Sequence, residues 1–137
     1  RLGITPRTRW LGHQSLGGSP AMPLVLAADA ARSLLKAHQR HWADLAAIEL
    51  HDAFAVQGLQ WQALLQAEGV GTDMLNRHGS GIARGHPIGA SAAVALVRVL
   101  AELAQAPPGG LGLAAIAGAG GLGSAGLVQQ LHGCLDG

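Results

Sequence analysis

Charge is scarce in this sequence: 12% of its 137 residues are Asp, Glu, Lys or Arg, against about 25% in an ordinary soluble domain. So few charges do not cover the surface of a chain this long. Either small residues such as Ala and Gly make much of the surface apolar, or another domain or subunit covers part of it; we favour the second. The net charge is +1, Lys and Arg are scattered, and there is no basic stripe or aromatic platform, so nucleic acid is not an expected partner. Cysteine is nearly absent. The lone Cys134 excludes an intrachain disulfide framework and suits a reducing, cytoplasmic compartment, with the thiol itself read as a bystander. The one long uncharged run, residues 111–130, is broken by glycines at 112, 118, 120, 121, 123 and 126, which makes it a poor membrane helix; no membrane association is expected. The first residues lack the apolar core of a secretory signal, and the chain opens at Arg1 without a methionine, so a processed or truncated N-terminus is expected.

The length calls for one domain over residues 1–137, long enough to bury a core. Residues 8–14 alternate short apolar and polar side chains and lead into Gly17-Gly18-Ser19-Pro20, a strand followed by a loop. From Pro23 the period changes. Ala27, Ala30, Ala31, Leu34 and Leu35 share one face and Arg32, Lys36 and Arg40 the other, which predicts an amphipathic helix. Residues 46–50 read as a short buried strand. Residues 54–67 read as a second helix with Phe54, Trp61, Leu64 and Leu65 inward, stopped by Gly69. The glycine-rich residues 76–85 hold at most a short strand around Gly81-Ile82-Ala83. A third helix is expected from Pro87, placed in its first turn, to about Ala104.

Residues 88–96 of that helix carry no charge on any face. A helix apolar all round is normally buried on all sides, so this one is expected between the domain's own sheet and a companion layer from elsewhere. Without that cover the chain is expected to self-associate. Pro107-Pro108-Gly109-Gly110 ends the helix, and residues 111–117 and 125–131 form two strands across a glycine turn. The order βαβαβαββ predicts an α/β fold: a mixed five-stranded sheet, mostly parallel, with helices on both faces and the terminal hairpin as an antiparallel edge.

Such a sheet places its ligands beyond the C-terminal ends of its strands. Three loops fall there: His51-Asp52-Ala53-Phe54, Gly85-His86-Pro87-Ile88-Gly89, and Ala117-Gly118-Ala119-Gly120-Gly121. His86, directly before Pro87, stands at the expected positive end of the third helix, where its ring can donate to an oxyanion or accept a proton from a nucleophile. The alternative is a capping histidine with a purely structural role. His13, His38, His41, His78 and His132 lack metal-ligand spacing with carboxylates or Cys134, so no metal site is expected. Gly118-Ala119-Gly120-Gly121 precedes a strand where a dinucleotide fingerprint requires a helix, which removes the nucleotide reading.

At His86 the residues become specific. The run Asn76-Arg77-His78-Gly79-Ser80-Gly81-Ile82-Ala83-Arg84-Gly85-His86-Pro87-Ile88-Gly89-Ala90-Ser91 resembles the signature N-x-x-G-G-x-I-A-x-G-H-P-x-G-x-S of the thiolase superfamily, departing at Ser80 and, just beyond, at Ala92, where Gly is expected. His51-Asp52-Ala53-Phe54 resembles the family's N-E-A-F block in its sterol-carrier-type H-D form. The small residues between Gly112 and Ala125 are similar to the last signature, with Ala117 where the family has cysteine. The three motifs stand in family order and the resemblance covers nearly the whole chain.

This resemblance implies a thiolase-like C-terminal domain, one of two βαβαβαββ halves that pack face to face with the third helix of each in the middle layer. The nucleophilic cysteine belongs to the other half, so a thiolase-like N-terminal half or partner subunit is an implied partner, in a homo- or hetero-oligomer. It implies an acyl-CoA thioester as substrate, with no covalently bound cofactor. His86 inherits activation of the nucleophile and donation to the thioester oxygen, stabilising the enolate. His51 replaces the asparagine that positions a water in the oxyanion hole: it could hold that water, face the substrate, or be a polar residue satisfied at a strand end. Asp52 is read as a structural hydrogen-bond partner and Phe54 as a core residue. Ala117 and Ala53 leave both of the family's acid/base thiol positions empty, although Gly118, Ala119, Gly120 and Gly121 still allow an oxyanion hole of main-chain N–H groups.

The expected function is the C-terminal half of an acyl-CoA acyltransferase that makes or breaks a C–C bond next to a thioester. The alternatives are a degenerate, non-catalytic scaffold or acyl-binding subunit, and the half of a thiolase-like aldolase that uses the same enolate-stabilising hole.

Overall fold

The computed structural model describes residues 5–131; the lone Cys134, His132 and the start of the chain lie outside them. Strand β1 (Thr8–Gly17) leads through a 3₁₀ turn into helix α1 (Leu26–Ala37), followed by β2 (Leu45–His51) and α2 (Ala55–Ala67). A short helix α3 (Gly81–Arg84), helix α4 (Ser91–Leu103) and the strands β3 (Leu111–Gly118) and β4 (Leu122–Gln130) complete the order. The sheet runs β1-β4-β3-β2, with β2 and β3 parallel and β4 antiparallel to both its neighbours. Three strands therefore point one way, with β4 against them.

The α/β class with helices on both faces is as expected, with three corrections. Four strands are present among the described residues, not five: the position between α2 and α3 is reduced to one parallel bridge, Ile48 with Leu75. The expected strand at Gly81-Ile82-Ala83 is the first part of α3. The terminal hairpin sits in the middle of the sheet and not at its edge, because β3 is buried along most of its length while β1 alternates half-buried and exposed.

Helix α1 turns Ala27, Ala30, Ala31, Leu34 and Leu35 onto the sheet, all buried. Its alanines let it approach closely, and the sheet answers with Gly123, where a Cβ would stand 2.2 Å from the Leu26 carbonyl. Helix α2 lies on the same face, with Trp61 and Leu65 wholly buried and the Trp61 ring edge-on to Trp42 at 5.7 Å. Helix α4 packs on the opposite face, its Val99 and Leu103 filling the place where a side chain at Gly112 would stand. The expected start of α4 at Pro87 is corrected to Ser91. Residues 87–90 form a turn closed by Pro87 O, which accepts from Ala90 and Ser91 N–H at 2.9 and 3.1 Å, with Gly89 at φ 86°. The outer side of α4 is bare: Val97 is 65% exposed and Ile88, ahead of the helix, 88%. No helix among the described residues is long and apolar enough to cross a membrane.

Candidate active site

Parallel pairing brings two of the three predicted loops to one end of the sheet, because His51 at the end of β2 is in register with Ile116 of β3, one residue before Ala117. The loop after β1 joins them there, with Gly18 N–H donating to Gly121 O at 2.9 Å. The third predicted loop arrives from outside the sheet. His86 lies over His51 with ring centroids 4.4 Å apart and planes 30° apart, a stacked pair.

The segment that carries His86 is tied to β2 along its length. Ile48 donates its N–H to Met74 O and accepts from Asn76 N–H, both at 2.8 Å. The side chain of Asn76 accepts from Leu50 N–H at 2.8 Å, and Gly81 N–H donates to Asp52 Oδ1 at 2.6 Å, which is the structural role expected of Asp52. Position 81 must be glycine on contact grounds, since a Cβ there would stand 2.8 Å from His51 Nδ1 and 3.1 Å from both Asp52 O and Oδ1. Further along, the Arg84 guanidinium donates to Gly79 O and to Glu49 Oε2. Gly85 then takes φ 84°, a left-handed turn that admits glycine readily, and delivers His86.

The two histidines differ in setting. His51 is 5% exposed and its Nε2 is buried without a hydrogen-bond partner among the described residues. Burial, then the neighbouring His86 ring and Arg84, push its pKa below the ordinary histidine value against the opposing pull of Asp52. His51 is a neutral ring under His86. His86 is exposed, and its Nδ1 is 2.7 Å from Ser91 Oγ, whose hydroxyl also reaches Pro87 O at 3.3 Å. With the Ser91 proton directed to Pro87 O, His86 Nδ1 is the donor to Ser91 and Nε2 is left as a free acceptor. A cavity of about 150 Å³, lined by His51, Gly85, Pro87, Ser91 and Val94 among others, opens beside the pair.

Three features went unread in the sequence. Ser91 was seen only as part of a signature, although a hydroxyl five residues after a histidine on a proline turn could have suggested it. Glu49 is wholly buried, and it binds Arg98 Nε at 2.9 Å and Arg84 Nη2 at 3.2 Å through one carboxylate oxygen. Its signal was a lone carboxylate inside a buried strand. Glu102, buried beside Glu49, completes this group, with Arg77 at 3.9 Å. Phe54, expected in the core, is 61% exposed instead. It precedes α2 as its N-cap, with its N–H donating to Gln57 Oε1 at 3.2 Å, so it is Gln57 that turns inward.

Two histidines, one buried and one open, thus meet at the C-terminal end of an α/β sheet, in a fold that solved structures also display. The chain superposes on the Acat5 thiolase from Ascaris suum in complex with coenzyme A with TM-score 0.83 and 31% identity, covering 93% of this chain and 32% of that one. It superposes on the Bacillus anthracis acetyl-CoA acetyltransferase with TM-score 0.80 and 28% identity, covering 94% and 32%. In sequence it is 36% identical over 130 residues to an acetyl-CoA acetyltransferase of Escherichia coli, covering 95% of this chain and 32% of that protein. Against a β-ketoadipyl-CoA thiolase of Pseudomonas putida it is 39% identical over 103 residues, covering 74% and 25%. Residues 4–130 match the C-terminal domain of thiolase. The chain belongs to the thiolase family, as its C-terminal domain. It spans about a third of the length of the acetyltransferases it matches.

Proposed function

We propose that this chain is the histidine-bearing half of a thiolase-like acyl-CoA acyltransferase, working on the carbon next to a thioester. The observation that carries the reading is the open His86 ring, fixed at Nδ1 by Ser91 and stacked on a buried neutral His51. The free Nε2 accepts the proton of a nucleophilic thiol supplied by the N-terminal half, or by a partner subunit. The resulting imidazolium then has an Nε2–H to offer the thioester oxygen as negative charge builds there, so one proton serves both steps. His51 holds the ring plane and adds no charge that would oppose imidazolium formation. The bare outer side of α4, where Val97 is exposed, and an apolar cavity of about 300 Å³ that reaches from Ala93 to Trp10 support cover by a companion layer and assembly as an oligomer.

Ala53 and Ala117 favour a second reading. No thiol stands at either position to carry the proton of a Claisen condensation, so the same oxyanion site suits retro-aldol cleavage of a β-hydroxyacyl thioester, with the proton taken elsewhere. A non-catalytic acyl-binding or scaffold role is the limit of that series. The test is His86→Ala in the full-length protein, assayed by consumption of free coenzyme A thiol in the thiolytic cleavage of a 3-oxoacyl thioester and by cleavage of a 3-hydroxyacyl thioester. Turnover is expected to fall by roughly 10²- to 10⁴-fold, the contribution of a positioned acid/base. A near-normal rate in His86→Ala refutes the assignment, and a wild type inactive on both substrates leaves the binding role.

A further inference from the structure

We infer that Glu49 is a positioning residue for His86, acting through Arg84 from the strand that carries His51. This rests on the functional reading of His86 given above.

The backbone just before His86 turns at a glycine. Gly85 carries no Cβ and sits at φ 84°, where rotation is opposed by little beyond its neighbours' own attachments. His86 is exposed, with one face of its ring stacked on His51. On its C-terminal side the ring is anchored through Nδ1 to Ser91. On its N-terminal side Gly85 N–H donates to Gly81 O at 2.8 Å, and the nearest side-chain anchor is the Arg84 fork, two residues away, which spans Gly79 O and Glu49 Oε2 and so ties both ends of the α3 turn to one carboxylate. A planar guanidinium held at two acceptors fixes orientation as well as distance.

Glu49 suits that task by its place. It is two residues before His51 on β2, so the two side chains emerge on the same face of the sheet, and any displacement between them is limited by a strand paired to β3 throughout. The carboxylate thus relates His86 to His51 through a rigid element. Arg98 of α4 meets the same oxygen at 2.9 Å and reaches toward Gly79 O at 3.5 Å, and Glu102 faces Glu49 from the same helix. A carboxylate needed only to dock α4 would be satisfied by Arg98; the contact to Arg84 is what connects it to the histidine.

The test separates those two arms in the full-length protein. Arg84→Gln removes the loop arm and leaves Arg98 on Glu49, so α4 stays docked. It is expected to lower kcat by about 10- to 100-fold with KM within about threefold, since a displacement of about 1 Å can cost 10²-fold. A crystal structure of Arg84→Gln is expected to show the His86 ring shifted off His51. Glu49→Gln should lose a similar factor, and the double variant should lose no more than the worse single one, the sign that both act on one coupling. Losses that multiply in the double variant overturn the inference, as does Arg84→Gln with unchanged kcat and an unmoved His86 ring. If the unmodified protein turns over no thioester, the functional reading falls, and the ring position in Arg84→Gln still decides this one.

Discussion

Replacing Glu102 by glutamine tests the physics of the buried acid pair. Glu102 is 8% exposed and its neighbours pull in both directions: Glu49 from β2, Arg77 at 3.9 Å from the loop, and Arg98 one turn earlier on its own helix. Burial is the leading influence, the neighbouring Glu49 carboxylate adds to it, and the two arginines offset only part, so the carboxyl is pushed up from 4.5 to about 7. Such a rise is worth roughly 3 kcal/mol, at about 1.4 kcal/mol per pH unit. The folded state binds the proton more tightly than the unfolded state, so this group's stabilisation is full below about pH 4.5 and is lost as pH rises through about 7. Glutamine has nearly the same shape and no charge at any pH. Urea unfolding of both proteins across this range should therefore show Glu102→Gln gaining on the parent as pH rises, by about 2 to 3 kcal/mol between pH 5 and pH 8. A difference that stays flat across that range would mean the carboxyl is already ionised in the fold, and the reasoning fails.

Two further outcomes follow from the histidine pair. Gly81→Ala places a methyl group 2.8 Å from His51 Nδ1 and against Asp52; it is expected to cost about 1 to 3 kcal/mol in denaturant unfolding, as an overpacked site does, and a loss below about 0.5 kcal/mol would show that the loop yields freely. His51, its pKa lowered by burial, is protonated more readily in the unfolded chain, so it contributes stability present above about pH 6.5 and lost as pH falls below it. His51→Asn is expected to lose less stability on acidification through that range than the parent does, and equal slopes count against a neutral buried ring.

What could be read from the residues was whatever depends on local pattern. The 3.6-residue stripe of Ala27, Ala30, Ala31, Leu34 and Leu35 predicted α1, and the Gly-His-Pro run with the His-Asp pair picked out the two rings that the fold stacks. What escaped depends on partners remote in the chain. Glu49 meets Arg84 and Arg98 from positions 35 and 49 residues away, and no spacing rule announces such a pair. Phe54 looked like core because helical periodicity was extended one residue too far, past a cap whose backbone is extended. The hairpin lies inside the sheet because β4 also pairs with β1 and β3 with β2, strands far away in the sequence. The α4 start was misread because Pro87 can open a helix, and here Gly89 at φ 86° delays it until Ser91.

The single bridge at Leu75 has a consequence of another kind. A sheet that ends in an open strand offers its unpaired main chain to any other molecule with a free strand of its own. Here β2 is one of the two outer strands, β1 being the other, and its outer rim is stoppered by Met74 and Asn76, the latter using both its backbone and its amide oxygen. Asn76 can do so because it sits at φ 47°, a conformation asparagine tolerates better than most residues. The same stretch of chain that leads to His86 thus also closes this side of the sheet to growth strand by strand into aggregates.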